Sequence, residues 1–226
     1  MKVNEETVLV GNKVILVPYR KEHVEKYHEW MSTEEIRQQT ASEPLTLEEE
    51  YEMQQSWQKD EDKLTFIVLA KSSQKDSDDL DELLRTSSMA GDVNIFLSER
   101  QLEEVEDNTS LIEAELEVMI AEPQWRKRGL AIEALSLLIY YASTSPTPAP
   151  ASSSKAATKY LPLSFDAFLA KVGFDNEASI QLFKKLGFQE VQRSQVWREV
   201  ELRPGQKGLS VDCSSLHVSV HRWPLL

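Results

Sequence analysis

The stretch Val118-Met119-Ile120-Ala121-Glu122-Pro123-Gln124-Trp125-Arg126-Lys127-Arg128-Gly129-Leu130-Ala131 passes from a strand, through a short turn, to a glycine at the mouth of a helix. Residues 114–120 alternate at first and then turn continuously apolar, as a strand does on entering the centre of a sheet, and Pro123 ends the run. Residues 129–142 (GLAIEALSLLIYYA) are apolar almost all round, so this helix has to be packed on a sheet. The first turn of a helix has unpaired backbone N–H groups and about half a positive charge, which makes it a natural phosphate seat. A glycine there lets an anion reach the backbone without a Cβ in the way. Arg126, Lys127 and Arg128 add full positive charge at the same end.

Upstream, residues 13–18 read as a first strand closed by Pro18, and Val24, Tyr27, Trp30 and Met31 have the spacing of a helix or helix pair over 22–39. Thr46-Leu47-Glu48-Glu49 is a capping box that opens a helix through Trp57. Residues 64–70 and 91–97 read as strands. Downstream come a strand-like run at 163–172, a helix over 177–186 stopped by Gly187 as a left-handed cap, and paired strands at 188–193 and 196–202. The polar, acidic stretch 72–88 and the Pro/Ser-rich stretch 143–155 read as flexible insertions. This pattern predicts one mixed α/β domain over 1–203, without the strict alternation of a doubly wound fold, followed by a tail at 204–226.

Hydrophobic residues make up 41% of the chain and charged residues 28%, enough to build a core. Cys213 is the only cysteine, which excludes an intramolecular disulfide framework. The N-terminus lacks the pattern of a signal peptide and no run approaches a membrane span, so the expected compartment is the cytoplasm. The net charge of −13 is uneven: residues 76–117 carry fourteen Asp/Glu against two basic side chains, whereas residues 124–203 carry eleven Lys/Arg against seven Asp/Glu. The acidic part argues against nucleic acid or anionic lipid as a partner, and the basic part suits a small polyanion.

Arg126-x-x-Gly129-x-Ala131 resembles the Q/R-x-x-G-x-G/A signature of GNAT acetyltransferases, in the strand-to-helix setting that signature requires. Some fifty residues downstream, Asn176-Glu177-Ala178-Ser179-Ile180-Gln181-Leu182-Phe183-Lys184-Lys185-Leu186-Gly187-Phe188 resembles the last block of the same superfamily. Tyr27-His28-Glu29-Trp30-Met31, Gly91-Asp92-Val93-Asn94, Glu117-Val118-Met119-Ile120-Ala121-Glu122-Pro123 and Ala170-Lys171-Val172-Gly173 narrow the likeness to the eukaryotic N-acetyltransferase 9 family, over residues 14–202.

That resemblance implies a GNAT fold: a central mixed, mostly antiparallel twisted sheet of about six to seven strands flanked by helices. It implies acetyl-CoA as cosubstrate and a protein or peptide amine as acceptor, with an association with tubulin N-termini. Met119, Ile120 and Ala121 would lie beside the pantetheine arm. Arg126, Lys127, Arg128, Gly129, Leu130 and Ala131 would hold the pyrophosphate, and Asn176 would stand near the reactive end of the cosubstrate.

An amine acceptor is mostly protonated at neutral pH, so a base or water chain has to take its proton before it attacks the thioester. Glu117 is the candidate base; the alternative is an exposed surface role. Where many relatives of the superfamily carry a tyrosine to protonate the leaving thiolate, this chain has Phe183, which has no proton to give. Tyr140, Tyr141 and Tyr160 stay unassigned by spacing, and water is the other acid. A binding or scaffold protein on the same fold and a small-amine acetyltransferase are the competing readings. His217 and His221 stand four apart, but no glutamate follows His217 and no cysteine pair accompanies them, so no metal site is expected.

Overall fold

The computed structural model describes residues 2–72, 79–101, 110–145, 160–206, 208 and 218–223. One nine-stranded sheet runs through them, in the order β7-β8-β6-β5-β4-β3-β2-β1-β9. Its strands are β1 (Thr7–Val10), β2 (Val14–Pro18), β3 (Lys63–Ala70), β4 (Ser88–Gln101), β5 (Ser110–Ile120), β6 (Phe168–Gly173), β7 (Phe188–Ser194), β8 (Glu199–Pro204) and β9 (Ser219–Arg222). All neighbours are antiparallel except β5 and β6. The α/β class is as expected, with a wider sheet than the six to seven strands read from the sequence.

The additional width lies at one edge. β1 is a four-residue strand directly before the Gly11-Asn12 turn, and β9 comes from the stretch read as a tail. β9 pairs with β1 from Thr7↔Arg222 to Val10↔Ser219, and the backbone N–H of Trp223 donates to Glu6 O at 2.7 Å. Ser-Val-His-Arg is too short and too polar to announce a strand by itself.

The helices divide between the two faces. On one lie α5 (Leu130–Thr144) and α6 (Glu177–Lys185), whose Leu135, Leu138, Ile180 and Phe183 pack with Phe66, Val68, Leu116 and Phe168. On the other lie α1 (Val24–Met31), α2 (Glu34–Gln39), α3 (Leu47–Lys59) and α4 (Leu80–Thr86), around Val8, Ile15, Val17, Ile67 and Leu69. The capping box is present: Glu49 N–H donates to Thr46 Oγ1 and the Glu49 carboxylate accepts from Thr46 N–H. Helix α4 corrects the reading of 72–88 as a loop throughout. Its Leu80, Leu83 and Leu84 share one face against the core, and Asp79 caps it by accepting from Asp81 N–H at 3.0 Å. The acidic composition had masked that spacing. Residues 73–78 and nearly all of the second insertion, with Cys213 and His217, lie outside the described residues. His221 stands on β9. Among the described residues no helix is long and apolar enough to cross a membrane.

Candidate active site

β5 and β6 share only two residue pairs, Ala114↔Phe168 and Glu115↔Leu169. From Ala170 onward β6 pairs with β8 and no longer with β5, so the upper half of β5, still paired with β4, has no strand on its other side and the two strands part. A cleft of about 780 Å³ opens there, with Asp92, Glu117, Met119, Lys171, Asn176 and Phe183 in its walls. Lys171 Nζ donates to Glu115 Oε2 at 2.8 Å and clasps the strands where they separate.

Glu117 projects from β5 opposite Asn94 of β4. Solvent reaches its carboxyl through the cleft, yet the surrounding walls thin the water around it. That desolvation is the main cause that pushes its pKa up to about 7; the charges of Asp92 and Glu115 push the same way and Lys171 opposes them. Asp92, 2% exposed, accepts from Tyr27 O–H at 3.2 Å and from Asn94 Nδ2 at 2.9 Å. Burial raises it to about 6 against those hydrogen bonds. The Asp92 charge resists ionisation of Glu117.

Met119 lies on the Glu117 side of the sheet and Ile120 on the side of α5, both half-buried, while Ala121 is buried at the strand's end. Arg126 is turned back on that strand. Its Nε donates to Ile120 O at 2.9 Å and an NH group to Ala121 O at 3.1 Å, and its guanidinium stands 3.5 Å from Glu35. Lys127 and Arg128 are exposed, and the Arg128 guanidinium lies 5.1 Å above the Trp125 ring. The turn is bent by two left-handed residues, Lys127 (φ 60°) and Gly129 (φ 83°). Gly129 is the N-cap of α5 and offers no side-chain cap, so the first-turn amides of Leu130 and Ala131 have no acceptor from that source. Asn176 is the N-cap of α6, its Oδ1 accepting from Ser179 N–H at 3.1 Å. Phe183 is buried edge-on to Phe188 with ring centroids 5.4 Å apart. Tyr141 reaches the other way, donating to Val3 O at 3.1 Å.

Lys13 and Tyr27 are among the residues at the site that the sequence did not single out for it. Lys13, in the turn between β1 and β2, brings a fourth cation to the mouth of α5. Its Nζ donates to Arg128 O at 3.2 Å and stands 3.0 Å from where a Cβ on Gly129 would be. Tyr27, from α1, also lines the cleft, with its hydroxyl on Asp92. The apolar runs on either side of Gly11-Asn12 signal a hairpin turn, but nothing local signals its meeting with residues 128–133. Among the described residues no group of three or more His, Cys, Asp or Glu is placed to hold a metal ion.

A model described as an acetyltransferase (GNAT) domain matches residues 13–189. The chain belongs to the GNAT acetyltransferase family. This GNAT chain is 43% identical over 223 residues to the N-acetyltransferase 9-like protein of Nematostella vectensis, covering 97% of this chain and 98% of that one. It is 48% identical over 204 residues to the alpha/beta-tubulin-N-acetyltransferase 9 of Mus musculus, covering 90% of this chain and 73% of that one. Its fold is similar to that of the spermidine N-acetyltransferase of Vibrio cholerae, solved with CoA and spermine, at a TM-score of 0.55 and 14% identity over 84% of this chain and 93% of that one. The GNAT chain is an N-acetyltransferase.

Proposed function

We propose that this enzyme transfers the acetyl group of acetyl-CoA to the α-amine of a protein N-terminus, that of tubulin among the candidates, in the cytoplasm. The observation that carries this reading is the parting of β5 from β6 beside an uncapped helix mouth. A bound acetyl-CoA supplies an acyl group activated as a thioester. Met119, Ile120 and Ala121 would line its pantetheine arm, and residues 126–131 would receive its pyrophosphate. Gly129 adds no side chain there, while Lys127, Arg128 and Lys13 supply charge. Arg126 shapes the seat by bracing the turn against the strand end. Asn176 would hold the start of α6 at the cleft wall.

Glu117, with a pKa of about 7, is poised to take a proton from an incoming ammonium near neutral pH. Lys171, held by Glu115, keeps a balancing positive charge nearby. The protein acceptor rests on the names of the relatives and on the open, acidic lining of the cleft, which includes Asp92, Glu115 and Glu117. Acetylation profiling tests it: the full chain is given acetyl-CoA with a panel of peptide N-termini, tubulin sequences included, and with polyamines and aminoglycosides. Acetylated peptide α-amines are expected. Modification of polyamines or aminoglycosides alone would move the substrate to small amines, and acetyl-CoA binding without any turnover would favour a scaffold.

A further inference from the structure

Asn94 sits in the middle of β4, 5% exposed, paired with Thr65 of β3 on one side and Glu117 of β5 on the other. Its Nδ2 donates to Asp92 Oδ2 at 2.9 Å. That bond fixes the amide's orientation, because the flipped group would set its oxygen against a carboxylate. The Oδ1 is thereby directed away from Asp92, and it is buried with no hydrogen-bond partner. Native proteins rarely leave such an acceptor unmet. Asn94 is among the residues that line the cleft, with Asp92, Glu117 and Tyr27, and its unmet oxygen is buried behind that lining. Directly opposed residues on neighbouring strands have Cβ atoms about 4.5–5.5 Å apart, which puts the Asn94 amide within reach of whatever the Glu117 carboxylate holds.

We infer that Asn94 Oδ1 receives an N–H of the acceptor's amine and positions that nitrogen against Glu117. This rests on the acetyl-transfer reading above and assigns a positioning residue to it. A primary ammonium has three N–H donors, of which Asn94 Oδ1 takes one and the Glu117 carboxylate another. The proton then passes along the second bond, giving a neutral amine and a protonated Glu117, with no other atom exchanged. Asn94 is uncharged, so its bond survives that transfer and the nitrogen stays in place while its lone pair becomes free. A second carboxylate in its position would bind the ammonium more tightly and release the neutral amine.

The test compares binding of a synthetic peptide with an N-terminal methionine and of its des-amino analogue to the full chain saturated with CoA. The wild type is expected to prefer the amine, and Asn94→Leu to lose about ten- to a hundredfold of that preference while its acetyl-CoA affinity is unchanged. The ratio of ratios cancels any general loosening caused by removing the Asp92 contact. Should Asn94→Leu not fold, Asn94→Ser carries the same comparison. Thr65 Oγ1 is also buried without a partner, and a water shared between Thr65 and Asn94 is the rival explanation. If that were Asn94's whole role, the variant would lose stability but keep its preference for the amine, and the assignment would be overturned. A wild type that binds the amine selectively yet acetylates nothing would refute the transfer reading and leave Asn94 as an amine-binding residue.

Discussion

Glu133 Oε1 accepts the backbone N–H groups of Lys13 at 2.7 Å and of Val14 at 3.2 Å, so the first turn of α5 grips the turn between β1 and β2. Gly11 is what lets the two approach, since a Cβ there would stand 2.5 Å from the same oxygen. Through this contact a buried carboxylate on the helix holds a lysine beside the helix's own mouth. Lys13→Ala is expected to weaken acetyl-CoA binding several-fold with stability almost unchanged. Glu133→Ala strands two backbone donors, so it should cost about 1–3 kcal/mol of stability and weaken binding as well. Calorimetry and urea unfolding of both variants separate the two effects.

Glu117 should leave its mark on pH profiles. With its pKa pushed up to about 7, kcat/KM for a peptide is expected to rise with pH and level off above that value. Glu117→Gln should lower kcat by about 10²- to 10⁴-fold and remove that limb. The stability effect has the opposite sign to that of an ion-paired carboxylate. Between its ordinary value of 4.5 and about 7 the folded chain keeps a proton that the unfolded chain has lost, so stability falls as pH rises through this window. Asp92 acts in the same direction between 3.8 and about 6. Glu117→Gln is therefore expected to be more stable than the wild type at pH 8 and less distinguishable from it at pH 4, as read from melting temperatures.

Gly91 faces the strand that forms the cleft wall. A Cβ on Gly91 would fall 1.8 Å from Met119 O, and a backbone oxygen in mid-sheet has little freedom to move aside. Gly91→Ala should cost about 1–3 kcal/mol and shift β5 at the residues proposed to lie along acetyl-CoA. Acetyl transfer, measured where the variant is still folded, should fall with it.

Trp197 stands at the tip of the hairpin between β7 and β8, 76% exposed and on the rim of the cleft. An exposed indole at a cleft rim is suited to contact a peptide. Trp197→Ala is expected to change stability by less than about 0.5 kcal/mol and to raise the KM for peptide several-fold without altering that for acetyl-CoA.

Periodicity and punctuation made most of this architecture readable. The capping box at Thr46, the all-apolar run of α5 and the Asn176 and Gly187 caps of α6 are local signals, and each marks an element of the structure. What was not readable depends on contacts distant in sequence. β9 is paired along the edge that β1 offers, and α4 hides three leucines in acidic surroundings. Arg126 has the sequence of a phosphate ligand, but the carbonyls of Ile120 and Ala121 hold its guanidinium. Lys13 and Tyr27 reach the site from β-turn and helix positions whose neighbours in sequence carry no chemistry. Asn94 and Asp92 were legible only as part of a family block, because their mutual hydrogen bond depends on burial.

Titration calorimetry of acetyl-CoA into the wild type and Gly129→Val reads the helix mouth directly. At φ 83° a β-branched residue is strained, and its Cβ would meet Lys13 Nζ at 3.0 Å. The wild type is expected to bind, whereas the variant, less stable by about 1–2 kcal/mol but folded by circular dichroism, should show no measurable heat. Equal affinity in the two proteins would mean that the amides at the start of α5 do not receive the diphosphate, and the account of the site would be contradicted.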